Sequence, residues 1–72
     1  MNTLTPADVE YLASLTNIPN PATDLTFHHK EKLQSIYQRW TGNYQPVDLY
    51  CSACVNELYR RLMEAKMVVS SE

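Results

Sequence analysis

Cys51-Ser52-Ala53-Cys54-Val55-Asn56-Glu57-Leu58-Tyr59-Arg60-Arg61-Leu62 is the stretch whose reading decides the fold. Cys51, Cys54, Val55, Leu58 and Leu62 recur at spacings of three and four, and Ala65 and Val69 continue the stripe, which makes one apolar face of an α-helix. Glu57, Arg60, Arg61 and Glu64 occupy the other side. The pairs Glu57/Arg61 and Arg60/Glu64 stand four apart, where opposite charges meet on a helix surface. The pattern predicts a helix over about 48–67, beginning after Pro46, with a frayed tail at 68–72.

Upstream, Leu33, Ile36, Tyr37 and Trp40 fall at i, i+3, i+4 and i+7 and predict a second amphipathic helix over about 25–41. Thr23, Asp24 or Thr26 can cap it, Phe27 lies off its stripe as an N-terminal staple, and Gly42 is placed for a left-handed residue after its end. Further upstream, Thr5-Pro6-Ala7-Asp8 opens a short helix over about 6–16. Thr5 serves as its cap, Pro6 sits where a missing N–H costs nothing, and Asp8 can reach back as a capping-box acid. Pro19 and Pro21 within Asn17-Ile18-Pro19-Asn20-Pro21 stop the pattern, so 17–24 reads as a Pro/Asn-rich linker. The expected architecture is all-α, a small single three-helix domain over 1–72.

The chain has 72 residues, 44% of them hydrophobic and 19% charged, with a net charge of −2. Below roughly 70–80 residues a core seldom supplies more than about 3–5 kcal/mol unless a metal, a disulfide or another subunit helps. The one glycine excludes a glycine-rich phosphate loop, and no apolar run approaches the roughly 20 residues of a membrane span. The first residues have neither a basic region nor an apolar core of a secretory signal. Two cysteines three apart do not make a secreted disulfide framework, so the expected setting is reducing and intracellular.

Several residue groups could carry chemistry. Cys51 and Cys54 supply half of a zinc site, for which His28 and His29 are candidate ligands, although adjacent histidines do not match the usual ligand spacing. The simpler reading makes both thiols small hydrophobes on the core stripe, with no cofactor. A redox reading rests on Cys51 lying in the first turn of its helix, where free amides favour a thiolate. Thioredoxin-like chemistry needs a βαβ scaffold that the pattern does not contain, and a cysteine–histidine nucleophile has no orienting elbow, so no enzyme is expected.

Seven aromatic residues exceed what so small a core can hide, and tyrosine and tryptophan are favoured interface anchors. Trp40, Tyr44 and Tyr50 are the candidate protein-contact residues, with Asp8 and Glu10 as rim charges toward a basic partner. Self-association into a homo-oligomer would also enlarge the core. A helix-turn-helix is the alternative, with its opening helix at Thr5–Leu12 and base-reading candidates among His28, His29, Lys30, Lys32, Gln34, Gln38 and Arg39. The acidic balance and the absence of Lys or Arg before Lys30 count against nucleic acid as the partner.

Ile36-Tyr37-Gln38-Arg39-Trp40-Thr41-Gly42, followed by Cys51-Ser52-Ala53-Cys54-Val55, resembles short proteins encoded by tailed phages and prophages. In these a helix ends in Tyr-x-x-x-Thr-Gly and a second opens on Cys-x-x-Cys after a loop. The resemblance spans about residues 33–62, implies a phage-type setting (host-cell cytoplasm or a virion) and a helix–loop–helix core, and transfers no catalytic residues. The resulting expectation is a non-enzymatic, phage-encoded protein-binding module. It would assemble in a virion or bind and block a host or defence protein, with a helix-turn-helix regulator and a zinc-stabilised module as alternatives.

Overall fold

A computed structural model describes residues 4–70 and contains four α-helices: α1 Pro6–Ala13, α2 Pro21–Asp24, α3 Phe27–Thr41 and α4 Ser52–Ser70. The all-α class stands, and three of the helices are the expected ones with shifted bounds. The three-helix architecture is overturned by α2, a helix of 4 residues inside the segment read as a linker. The physical reason is that a proline breaks a helix when it falls inside one, whereas at the first helical position, where Pro21 stands, its ring geometry suits the helix. The Asn20 carbonyl then accepts the Thr23 and Asp24 amides, and the Asp24 carboxylate accepts the Asn20 N–H at 3.2 Å.

The stripe on α4 organises the packing. Val55, Leu58 and Leu62 are buried, and every substantial helix–helix interface among the described residues includes α4, which meets α1, α2 and α3 in turn. Leu12 and Leu15 from the first segment, Leu25, Leu33 and Ile36 from the α2–α3 region, and Leu49 from the following loop fill the same core. Polar ties fix how the first segment and α2 sit on α4. The Tyr59 hydroxyl donates to the Leu15 carbonyl at 2.6 Å, and the Ala22 N–H donates to Asn56 Oδ1 at 3.1 Å.

Local chemistry accounts for the bounds. Thr5 Oγ1 accepts the Asp8 N–H while Asp8 Oδ2 accepts the Thr5 N–H, both at 3.1 Å, so the expected capping box forms. Helix α1 stops earlier than its apolar pattern, because the Ser14 and Thr16 hydroxyls donate to the Tyr11 and Ala13 carbonyls and satisfy groups that another turn would have used. Asn17 then takes a left-handed conformation, φ 65°, which an asparagine tolerates. Thr26 caps α3 through the His29 N–H, and Gly42 ends it at φ 75°, the left-handed residue its position calls for. Helix α4 begins at Ser52 instead of residue 48, since 48–51 form a turn in which the Cys51 N–H donates to the Asp48 carbonyl. It continues helical through Ser70; the remainder of the expected frayed tail, 71–72, lies outside the described residues.

Asp8 also joins two distant helices. Its Oδ1 accepts from Arg39 on α3 at 2.7 Å, and its side chain is only 11% exposed while that of Arg39 is 52% exposed. The half-exposed guanidinium limits the ion pair itself to roughly 1 kcal/mol at most, whereas losing a helix N-terminal partner costs roughly 0.5–2 kcal/mol. Asp8→Ala is therefore expected to destabilise the fold by about 1–2 kcal/mol and Arg39→Ala by less than about 1 kcal/mol in urea unfolding. Equal losses would show that the ion pair, and not the cap, is the main contribution. Leu62→Ala, at a fully buried position, is expected to cost about 2–5 kcal/mol and leave the chain largely unfolded at room temperature by circular dichroism.

Candidate functional site

The turn before α4 places three consecutive residues in different environments. Leu49 enters the core, Tyr50 turns outward at 87% exposure, and Cys51 becomes the residue that caps α4. Asp48 sets this geometry, with Oδ1 accepting the Tyr50 N–H at 3.0 Å and its carbonyl accepting the Cys51 N–H at 3.1 Å. The Tyr50 ring stacks on Phe27, the first residue of α3, with centroids 5.6 Å apart and planes 29° apart. Phe27 is itself 46% exposed, so the pair presents aromatic surface to solvent. Beside it lies a cavity of about 310 Å³ lined by Ala22, Phe27, Lys30, Leu49, Tyr50 and Ser52.

Cys51 and Cys54 are joined to each other as a disulfide, their Cα atoms 5.2 Å apart, and both residues are half-buried. Their expected role as free thiols on the core stripe is corrected accordingly: the buried face of α4 runs through Val55, Leu58 and Leu62, and Cys51 lies before the first helical turn. Cys51 Sγ accepts the Cys54 N–H at 3.2 Å, and the Cys51 carbonyl accepts the Val55 N–H at 3.0 Å. Cys54 also borders a second cavity, of about 240 Å³, with Tyr37, Val47, Glu57, Leu58 and Arg61. Arg61 spans its rim, donating to Glu57 at 2.8 Å and to the Tyr37 hydroxyl at 2.9 Å. Hydrogen bonds from Arg60 and then Arg61 hold the Glu57 carboxyl below the usual carboxylate range.

The other expected contact residues have separate fates. Tyr44 is 67% exposed on the loop after α3. Trp40 is half-buried, packed on the core and edge-on to Tyr37 with centroids 5.9 Å apart, which leaves it a supporting residue. Asp8 is turned inward to its cap and Arg39, so it is no rim charge, while Glu10 is exposed. Of the base-reading candidates, Gln34 Oε1 accepts the Val47 N–H at 2.6 Å, Gln38 donates to the Tyr44 and Gln45 carbonyls, and Arg39 holds Asp8. These side chains bind the 42–51 loop and α1 to α3. Phe27 is the surface residue that its position off the apolar stripe could have flagged.

His28 and His29 diverge, with ring centroids 6.2 Å apart; His28 is exposed and His29 is half-buried, 6.4 Å from the Tyr11 ring. Among the described residues no three His, Cys, Asp or Glu side chains converge as a metal-binding group. His29 Nδ1 and the Tyr11 hydroxyl are buried without a hydrogen-bond partner, and the Lys32 ammonium stands 4.3 Å from the Tyr11 ring centroid. Burial pushes the Tyr11 phenol above its usual value. A phenol raised on folding contributes stability that is complete below the ordinary tyrosine value and is lost as pH rises through the raised one. In an absorbance titration at alkaline pH, the Tyr11 phenol is therefore expected to ionise above the ordinary tyrosine value, and Tyr11→Phe should remove that step. Persistence of that step in the variant would overturn its assignment to Tyr11.

Comparison with known proteins adds no relative to this geometry: no family model, no curated protein and no solved structure matches the chain.

Proposed function

We propose that the protein is a non-enzymatic protein-binding module whose contact surface is the Phe27–Tyr50 pair and the cavity beside it. The observation that carries this reading is the aromatic stack itself. Two large rings are held against each other on the outside, on a turn and a helix end that hydrogen bonds already fix. Aromatic side chains ordered before binding contribute large apolar area with little entropy left to lose, which is what interface anchors require. The cavity beside them is mainly apolar and has the Lys30 side chain in its wall. Its occupant is a protein segment that inserts an apolar side chain and sets a carboxylate against Lys30. The phage-type setting comes from the sequence resemblance alone. In that setting such a surface serves either virion assembly or the capture of a host protein.

Tyr44 and Glu10 are placed outside the proposed surface, and Trp40 and Asp8 act through the fold. The test is selection of random twelve-residue peptides displayed on phage against the immobilised, folded chain. The expected outcome is enrichment of peptides that pair an apolar with an acidic residue. Their affinity should fall at least ~10-fold for Tyr50→Ala, the cost of about 1.4 kcal/mol or more that an interface anchor carries. At 87% exposure Tyr50 contributes little to the core, so the thermal melt of Tyr50→Ala should match that of the parent. Enriched peptides that bind parent and Tyr50→Ala equally would overturn the assignment.

A further inference from the structure

Disulfides that serve as structural staples close long loops, and the one on α4 closes over two intervening residues, Ser52 and Ala53. So short a ring removes little freedom from the unfolded chain. The fold does not need it for packing either, because the helix is docked through Val55, Leu58 and Leu62, which lie beyond the ring. Cys51 and Cys54 are both half-buried, so neither residue is sealed within the core. The Cα separation of 5.2 Å lies inside the range that a disulfide spans, so pairing needs no rearrangement of the helix start. The two sulfurs are chemically unequal. Cys51 Sγ receives the Cys54 N–H and sits at the positive end of α4, whereas Cys54 lies within the first turn beside the cavity formed with Tyr37 and Val47.

We propose that Cys51 and Cys54 form a thiol–disulfide exchange site that takes low-molecular-weight disulfides and thiols of the glutathione class. In the oxidising direction the Cys51 thiolate attacks one sulfur of the disulfide. A Cys51–glutathione bond forms, the glutathione S–S bond breaks, and one glutathione thiolate leaves. Cys54, on losing its proton to solvent, attacks Cys51 Sγ, forms the internal disulfide and releases the second glutathione. Overall the protein dithiol loses two electrons and two protons, and one glutathione disulfide becomes two glutathione thiols. The reverse sequence reduces the pair. The donor already aimed at Cys51 Sγ makes Cys51 the attacking residue and Cys54 the resolving one. This activity is independent of the peptide surface, although Tyr50 adjoins Cys51 in the chain.

The test uses the full chain, reduced, freed of reductant and mixed with glutathione disulfide at neutral pH, with acid-quenched samples read by mass spectrometry. The parent is expected to pass to the internal disulfide without accumulating an adduct. Cys54→Ser is expected to stop at one glutathione adduct on Cys51, and Cys51→Ser to form its adduct at least ~10-fold more slowly. Serine keeps an acceptor at the cap of α4, so the helix start is retained in Cys51→Ser, and circular dichroism checks this. Should a variant lose its helical signal, the order of iodoacetamide labelling in the reduced parent, mapped by peptide, decides in its place, with Cys51 expected to label first. Equal adduct rates for the two variants, labelling of Cys54 first, or a parent that remains a dithiol in excess glutathione disulfide would each overturn the proposal.

Discussion

Burial of one narrow stripe, Val55, Leu58 and Leu62, is the constraint on which the other helices depend. Helices α1 and α2 are each too short to be stable in water alone, since isolated helices below roughly 12–15 residues are marginal. They persist because each lays apolar residues against α4 and is tied to it, α1 through the Tyr59 bond to Leu15 just beyond its end and α2 through Asn56 to Ala22. Helix α3 has length enough, yet its Leu33 and Ile36 need the same surface. A chain of 72 residues cannot afford two cores, and a single central helix is the arrangement that lets four elements share one.

The same arrangement explains where chemistry becomes available. Helix α4 is covered along its stripe, and the aromatic stack and the cysteine pair lie at its start. There Asp48 turns the chain so that Leu49 enters the core, Tyr50 leaves it and Cys51 caps α4. Helix α3 begins alongside, which brings Phe27 under the Tyr50 ring. Gln34 and Gln38 hold the 42–51 loop to α3 and limit how far that turn can wander. The aromatic stack and the cysteine pair are thus consequences of one helix start, built from the requirement that Leu49 be buried next to a residue that is not.

Much of this was legible in the residues. Spacing alone located α3 and α4, the capping box at Thr5 and Asp8 is local chemistry, and Gly42 sits where a left-handed residue was required. Contacts between residues far apart in the chain were not legible. Nothing near Asp8 announces Arg39, 31 positions away, so a residue read as a surface charge became a buried one. Pro21 was ambiguous because proline both stops and starts helices, and the partner that ties α2 down, Asn56, lies 34 residues beyond Ala22, whose N–H it accepts. Phe27 was visible as an apolar residue off its stripe; its pairing with Tyr50 depends on how α3 and α4 dock. The cysteines lie at the helix start, but Cys51 precedes the first turn it was expected to occupy, and the buried face begins at Val55 and includes neither of them.

Residue-resolved hydrogen exchange under native conditions tests the dependence on α4 most directly. If all four helices share one core through that helix, the amides of Leu58 to Leu62 should be the slowest to exchange. The protected amides of α1 and α3 should then exchange only through openings that also expose α4, or through smaller ones at their ends. The opposite result, protection in α3 that survives while the centre of α4 exchanges freely, would show a core that stands without α4 and would contradict the account.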